Sequence, residues 1–171
     1  SRDLIKENGW AAVSIRAVAS RCSVSAGTIY NYYESKADLL SDTIESIWHE
    51  IFFHPEDEQV FHDVESCISW IYERLEYGNR QFPGFFSLHS FGFMRDEKTS
   101  GKKRMMKTWG HILNGLCEVL GNDPKVRADV FDQEFTEKKF ADILFSLIRV
   151  SMIRQDYDPS SVLMLVKKTL Y

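Results

Sequence analysis

The chain has 171 residues, of which 44% are hydrophobic and 27% charged, and its formal net charge at pH 7 is −4. This length is typical of about one domain, and the composition excludes a disordered or fibrous chain. No apolar run approaches the ~18 to 20 residues that a membrane span requires, so no membrane partner is expected. The negative net charge, taken alone, argues against a nucleic-acid partner.

Helix caps and helix stops mark the predicted elements in chain order. Ser14, Ser25 and Ser35 can each accept a hydrogen bond from the first turn of a helix. No first turn or cap is evident for the helix that Gly9 ends, so we expect the given sequence to begin inside that helix, with an N-terminal piece absent or removed. Further along, the apolar residues keep helical spacing. Alternation of apolar and polar residues never persists long enough for a strand, so the sequence predicts an all-α fold. The predicted helices occupy residues 1–8, 15–21, 26–32, 35–53, 57–77 (stopped by Gly78), 82–94, 98–120, 134–155 and 159–170.

Residues 15–33 are predicted to form a helix-turn-helix. Two short helices that cross at a steep angle need a small residue where they touch, and Ala19 supplies it. The second helix then presents small and hydroxyl-bearing residues outward, and this surface can approach the floor of a DNA major groove. The alternative is a helical corner packed inside the protein, with Tyr30, Tyr32 and Tyr33 in its core. Four apolar side chains have offsets suited to filling the angle between the helices: Val18, Cys22, Val24 and Ile29.

Hydroxyl, aromatic and cationic groups of this segment are expected to contact DNA phosphates. Arg16 can instead reach a guanine edge, a bidentate contact that gives roughly 1–3 kcal/mol of base discrimination. Residues 14–37 carry three basic side chains against the single acidic Glu34, so their local charge is positive although the whole chain is negative. The predicted contacts to double-stranded operator DNA are Ser14, Arg16, Ser25, Ala26, Gly27, Thr28, Tyr30, Asn31, Tyr32 and Lys36.

Residues 14–39 closely resemble the DNA-binding head of the tetracycline-repressor (TetR/AcrR) family. The segment ends in S-A-G-T-I-Y-N-Y-Y-E-S-K-A-D-L, against a family pattern of roughly S-x-G-T-L-Y-x-H-F-x-S-K-x-x-L. Cys22 and Ser23 stand where the family usually has Ala-Gly, and Tyr32 replaces the usual His. A non-glycine residue in the turn costs up to ~1 kcal/mol if its φ is positive. The resemblance covers residues 1 to about 45.

The resemblance implies a one-component transcriptional regulator that is bacterial, cytoplasmic and homodimeric. Two recognition helices would lie about one DNA turn apart, roughly 34–36 Å, on a palindromic operator. The implied activity is repression, which a small apolar or aromatic effector relieves by shifting a two-state equilibrium through the helix over residues 35–53. We therefore predict a helix-turn-helix DNA-binding domain over residues 1–45 and a helical domain for ligand binding and dimerisation over residues 46–171.

Aromatic and methionine side chains are dense between residues 70 and 113. An aromatic-lined cavity suits a flat apolar ligand. The candidate polar groups that would orient such a ligand are His89, His111, Asn114 and Glu73. The alternative is an aromatic core without a ligand. The predicted ligand-binding residues are Trp70, Phe86, His89, Phe93, Met105, Trp109 and Leu113.

Residues 140–153 are apolar on more than one helical face. A surface helix of a monomer shows one apolar stripe, so this helix is either central in the fold or shared with another subunit. Paired with the final helix about a two-fold axis, it would make a four-helix bundle. The predicted residues of the homodimer interface are Phe140, Ile143, Leu144, Leu147, Ile148, Val162, Leu165 and Val166.

Signals for other functions are weak. His49 and His54 resemble the zinc-protease motif H-E-x-x-H but are one residue too far apart. His54, Glu58 and His62 have helical spacing, but Pro55 lies among them. We expect no metal, no cofactor and no enzymatic activity. The competing hypotheses are a helical scaffolding protein whose head has lost DNA contact and a small α-helical enzyme.

Overall fold

Helices make up the regular structure wherever the chain is described. The computed structural model describes residues 1–53, 61–86 and 100–171. No strand occurs in these ranges, and none of their helices is long and apolar enough to cross a bilayer. The predicted all-α fold is thereby confirmed. The helices are α1 (Arg2–Asn8), α2 (Ile15–Arg21), α3 (Ala26–Tyr30), α4 (Lys36–Phe52), α5 (Val64–Gln81), α6 (Ser100–Asn122), α7 (Glu137–Arg154) and α8 (Ser160–Leu170).

Serine caps begin the helices of the N-terminal quarter where the sequence predicts them. The side-chain oxygens of Ser14, Ser25 and Ser35 each accept the backbone N–H three residues further on, at 3.1, 3.1 and 3.2 Å. Each bond satisfies a donor that the first helical turn leaves unpaired. Gly9 ends α1 with a φ of 76°, a left-handed conformation that glycine adopts without a Cβ clash.

The later helices agree closely with the predicted ones. The starts of α6, α7 and α8 fall within three residues of the predicted positions, and so do their ends. The predicted helices over residues 57–77 and 82–94 are described only in part, because residues 57–60 and 87–94 lie outside the described ranges. In the part that is described, residues 82–86 form a turn rather than a helix.

The predicted helix stop at Gly78 is wrong, because α5 continues through this residue to Gln81. Gly78 is buried, and a Cβ built on it would lie 2.6 Å from Ile51 Cδ1 and 3.2 Å from Phe86 Cζ. Any larger residue would force Ile51 and Phe86 to shift or α5 to move away from them. The glycine therefore permits close packing against α4 instead of ending the helix.

Backbone packing groups the chain into two compact units. The first contains residues 1–51 and 77–108, and the second contains residues 52–76 and 109–171. The N-terminal helices therefore pack together with a later segment of the chain. The division predicted at residue 45 concerns function, and it stays a prediction.

The core of the first unit is aromatic. Trp48 of α4 packs on Phe85 and Phe86, with ring centroids 5.5 and 5.6 Å apart. Trp10 packs on Phe85 at 5.8 Å and donates its backbone N–H to the Pro83 carbonyl at 3.1 Å. Aromatic pairs in this geometry stabilise a core beyond the area they bury. They hold the turn after α5 against the segment that follows α1.

Burial and ion pairs together hold α1 in the first unit. Ile5 is fully buried, while Arg2 and Lys6 both bind the Glu50 carboxylate of α4, at 2.8 and 2.7 Å. Ion pairs that remain partly in solvent contribute little to stability. Their effect here is to fix the orientation of α1 along α4.

Asp123, in the loop after α6, organises the second unit. Its carboxylate accepts the backbone N–H of Val64 at 2.9 Å, the N–H of Lys125 at 2.8 Å and the hydroxyl of Tyr171. Asp123 is only 5% exposed, so these donors replace the water that the carboxylate loses. Burial, with the adjacent carboxylate, raises the pKa of the Tyr171 hydroxyl. One side chain thereby joins the start of α5 to the end of α8.

Candidate functional site

The helices α2 and α3 form the predicted helix-turn-helix. Val18 and Ala19 of α2 and Ile29 of α3 are buried, and the two helices are in contact. The small alanine permits the steep crossing. Cys22 and Val24, which were predicted to join this core, are exposed instead. The prediction is wrong for these two because the turn that carries them lies at the surface.

The turn between α2 and α3 is a Schellman motif. The N–H of Val24 bonds to the Ala19 carbonyl at 3.0 Å, and the N–H of Ser23 bonds to the Ser20 carbonyl at 3.1 Å. Ser23 takes the left-handed position of the motif, with a φ of 55°. Glycine is usual there because a Cβ costs roughly 1–2 kcal/mol in this conformation. The turn is therefore strained at Ser23.

Replacing Ser23 by glycine is expected to raise the free energy of unfolding by up to about 1 kcal/mol. The change removes the Cβ from a left-handed residue, and the larger chain entropy of glycine offsets only part of the gain. The measurement is urea unfolding of the full chain. Ser20→Gly is the matched control. Ser20 lies in α2, where glycine is less favourable than serine, so this variant should lower the free energy of unfolding by about 0.5 kcal/mol. If Ser23→Gly lowered the free energy of unfolding, the backbone at Ser23 would not be strained.

Aromatic and polar side chains of α3 and the following turn extend into solvent. Tyr30 is 55% exposed, Tyr32 is 78% exposed, and Asn31 is exposed as well. The alternative that placed the tyrosines in a core is therefore wrong for Tyr30 and Tyr32, while Tyr33 is half-buried. The helix α3 ends two residues earlier than predicted, but the N–H of Tyr33 still bonds to the Ile29 carbonyl at 3.0 Å. The backbone hydrogen bonds of a helix thus continue through the residues that carry the exposed side chains.

Hydroxyl groups lie at the start of α3. Ser25 Oγ and Thr28 Oγ1 are 3.0 Å apart, and Ser25 Oγ also accepts the Thr28 N–H. Because one hydroxyl donates to the other, one hydroxyl proton of the pair is left for a phosphate oxygen. At the start of α2, Ser14 Oγ accepts the N–H of Ala17. That bond does not use the hydroxyl proton of Ser14. The first residues of α3, Ala26 and Gly27, are small and leave the backbone accessible.

The three basic side chains of residues 14–37 have different surroundings. Arg16 and Lys36 are exposed. Arg21 forms a bidentate pair with Glu7, in which Nη1 donates to Oε2 at 2.7 Å and Nη2 donates to Oε1. This hydrogen bonding lowers the pKa of the Glu7 carboxyl and raises that of Arg21. Arg21 therefore joins α1 to α2, whereas Arg16 and Lys36 extend into solvent.

A helix-turn-helix whose second helix is exposed, rich in hydroxyls and flanked by cations defines a DNA-binding head, and the protein as a DNA-binding transcriptional regulator. Residues 1–43 match the sequence profile of the bacterial regulatory proteins of the tetR family. The head therefore matches the DNA-binding head of the tetR family, as the sequence resemblance implies. The match covers about a quarter of the chain. No curated protein and no solved structure matches the chain.

A mainly apolar cavity of about 340 Å³ lies in the second unit. Its volume falls within the range of small-molecule sites, about 300–1,000 Å³. The aromatic part of its wall is built around Trp70, whose ring centroid is 5.8 Å from that of Phe52 and 5.2 Å from that of Phe61. The lining residues are Phe52, Phe61, Cys67, Trp70, Ile71, His111, Ile112, Gly115, Leu116 and Glu118.

The predicted ligand-binding residues are divided between the two units. Trp70 lines the cavity, whereas Trp109 and Leu113 lie on α6 in the same unit without lining it. Phe86 belongs to the first unit, where it is 1% exposed and packs on Trp48, so it is part of that core. Three of the predicted residues lie outside the described part of the chain: His89, Phe93 and, for its side chain, Met105.

Most of the cavity wall was missed by reasoning from the sequence. Of the candidate polar groups, His111 lines the cavity, whereas Asn114 and Glu73 are exposed and do not line it. Gly115 and Glu118 share the face of α6 that carries His111, at the helical spacing i, i+4, i+7. This spacing is visible in the sequence and is the signal that could have found them. The aromatic wall comes from residues distant in sequence, which folding alone brings to α6.

The helices α7 and α8 carry apolar side chains on two faces. Leu147 of the predicted interface is half-buried. Five other predicted residues are buried within the protomer: Phe140, Leu144, Ile148, Val162 and Val166. We call the opposite face the outer surface of α7 and α8, because its large apolar side chains are in solvent. They are Ile143 (44% exposed), Val150 (42%), Ile153 (46%), Met164 (58%) and Leu165 (37%).

The weak metal motifs of the sequence lie partly outside the described residues. Within residues 1–53, 61–86 and 100–171, no three His, Cys, Asp or Glu side chains are grouped to hold a metal ion. His49 is exposed on α4, and His62 is exposed just before α5. His54 and Glu58 lie outside the described ranges.

Proposed function

We propose that this protein is a ligand-responsive transcriptional repressor of the bacterial cytoplasm that binds a palindromic operator as a homodimer. The observation that carries the proposal is the exposed surface formed by Tyr30, Asn31 and Tyr32, on a head that matches the tetR family. DNA is a partner that such a surface of hydroxyl and amide groups can bind. No cofactor and no catalytic activity form part of the proposal.

In this proposal α3 is the recognition helix. Ala26 and Gly27 permit its backbone to approach the floor of the major groove, where Asn31 can bind base edges. The Tyr32 hydroxyl and the Lys36 ammonium donate to phosphates. These contacts position the head on DNA, whereas base contacts give specificity.

Selection from random DNA duplexes with the full chain tests this function. The expected result is enrichment of a palindrome whose half-site centres are one DNA turn apart, about 34–36 Å. Enrichment of a single half-site would retain DNA binding but contradict the dimer. If no sequence and no duplex were retained, a scaffolding protein whose head has lost DNA contact would be the better description.

We place the proposed dimer interface on the outer surface of α7 and α8. An exposed group of large apolar side chains is typical of a surface that another protein covers. Two copies of these helices about a two-fold axis would form a four-helix bundle. The predicted residues that are buried, such as Leu144 and Val166, would then support the two helices from within each protomer.

Replacing Ile143 and Val150 together by lysine is expected to convert the dimer into a monomer. Both side chains are exposed in the protomer, whereas a dimer would bury the introduced charges without partners. Light scattering after size exclusion should give the mass of one chain instead of two. Met106→Lys is the matched control, because Met106 is 55% exposed on α6. A double variant that stays dimeric would place the interface elsewhere, and a monomeric parent would contradict the dimer itself.

We propose that α4 transmits effector binding to the head. Its first residue, Lys36, is a predicted phosphate contact, and its last residue, Phe52, lines the cavity. A ligand in contact with Phe52 can shift α4 between two states only by the difference in its affinity for them. A bound effector should therefore weaken operator binding by roughly 5–150-fold, the usual range of allosteric coupling. Titration of the operator complex with the ligand measures this factor.

A further inference from the structure

One face of α6 carries His111, Gly115 and Glu118, and all three line the cavity. Their spacing of i, i+4, i+7 places them on consecutive turns, so the face extends about 10 Å along the helix axis. An imidazole lies at one end of the face and a carboxylate at the other. The centre has no side chain.

Gly115 is not required by packing within the protein. Apart from its chain neighbours and its own helix, no described atom lies within 4 Å of a Cβ built on it. Glycine is also among the least favourable residues in a helix interior. A larger side chain here would extend into the cavity. The glycine therefore keeps the centre of the α6 face open although it weakens the helix.

The aromatic wall is formed by Phe52, Phe61 and Trp70. Trp70 makes edge-to-face pairs with both phenylalanines, at interplanar angles of 63° and 70°. Aromatic walls bind flat apolar groups. The electron-rich faces of such rings also attract cations, so this wall is compatible with a positively charged ligand.

The charge of the lining residues distinguishes between ligands that would fit the cavity by shape. Glu118 is the one acidic side chain among the ten described residues that line the cavity, and none of the ten is Lys or Arg. Burial raises the pKa of the Cys67 thiol to about 12, so this residue contributes neutral, apolar surface. A cation would be attracted to Glu118 and an anion would be repelled. The charge of the wall therefore complements a positive ligand.

We propose that the cavity binds a small organic cation with a flat apolar body, whose body lies between the open face at Gly115 and the aromatic wall and whose positive group pairs with Glu118. The regulatory meaning of this site rests on the proposed function, whereas the binding itself does not. The assignment is narrower than an apolar or aromatic effector, because it excludes aromatic acids of the same shape.

Three naphthalene compounds that differ in one group test the assignment. At about pH 8, 2-naphthylmethylamine is a cation, 2-naphthylmethanol is neutral and 2-naphthoate is an anion. Titration calorimetry measures their affinity for the full chain. Because Glu118 is exposed, we expect the amine to bind about 5-fold more tightly than the alcohol at low salt, and the carboxylate about 5-fold more weakly. Both differences should shrink in high salt.

Variants of α6 identify the groups responsible. Glu118→Gln should give the amine and the alcohol equal affinities while the affinity of the alcohol stays unchanged. Gly115→Leu should abolish binding of all three compounds by filling the cavity. Gly110→Leu is the matched control. Gly110 lies on the same helix, has no described atom within 4 Å of a built Cβ apart from its own helix and neighbours, and does not line the cavity.

Tighter binding of the naphthoate, or an amine preference that survives Glu118→Gln, would overturn the assignment of a cation. Failure of all three compounds to bind, or binding that Gly115→Leu leaves intact, would overturn the cavity as the site. Operator release is measured separately. An amine that binds in the expected order without releasing the operator supports the cation site and contradicts the effector role in the proposed function.

Discussion

Replacing Tyr32 and Lys36 together by alanine is expected to weaken operator binding at least about 100-fold, while the free energy of unfolding stays within about 0.5 kcal/mol of the parent value. Both side chains are exposed, so neither supports the core. On DNA each is expected to donate to a phosphate, and a dimer would lose four such contacts. Fluorescence anisotropy with labelled operator gives the affinity, and urea unfolding gives the stability.

Salt dependence separates the two side chains. Lys36→Ala removes two cations from a dimer, so the slope of log affinity against log salt should become less steep by about 2. Tyr32→Phe removes only a neutral hydroxyl and should leave that slope unchanged. Lys138→Ala, at an exposed position in α7, is the control and should match the parent in affinity and slope. Parent-like affinity of the double alanine variant would contradict the proposed DNA-binding surface.

Replacing Asp123 by alanine is expected to lower the free energy of unfolding by about 3 kcal/mol, a large share of the roughly 5–15 kcal/mol typical of a domain. The change leaves the N–H of Val64 and of Lys125 and the hydroxyl of Tyr171 without their acceptor. Val64 is 1% exposed, so water cannot easily replace the lost bond there. Urea unfolding measured by circular dichroism gives the difference.

Two further variants show whether the loss comes from the Asp123 cluster. Tyr171→Phe removes one donor and leaves the carboxylate bound to backbone, so about 1 kcal/mol should be lost. Asp129→Ala, at an exposed position in the same loop, should change stability by no more than about 0.5 kcal/mol. If Asp123→Ala were as mild as Asp129→Ala, the second unit would not depend on this carboxylate.

The head was predictable because its signals are local. A serine cap binds an N–H only three residues away, so Ser14, Ser25 and Ser35 mark helix starts whatever the rest of the chain does. Gly78 shows where such reasoning fails. A glycine can end a helix or permit a close approach, and the choice here depends on Ile51, which is distant in sequence. The sequence holds no local signal for that contact.

Helical spacing, caps and the family motif were sufficient for the all-α class and the DNA-binding head. Composition was not sufficient for the second unit. Trp70 and Phe86 belong to the same aromatic-rich stretch, yet one lines the cavity and the other is buried in a different unit. In α7 both faces are apolar, and packing within the protomer buries Leu144 while it leaves Ile143 in solvent. Apolar residues are alike in their preference to leave water, so only the neighbours that folding brings to each face separate core, cavity and outer surface.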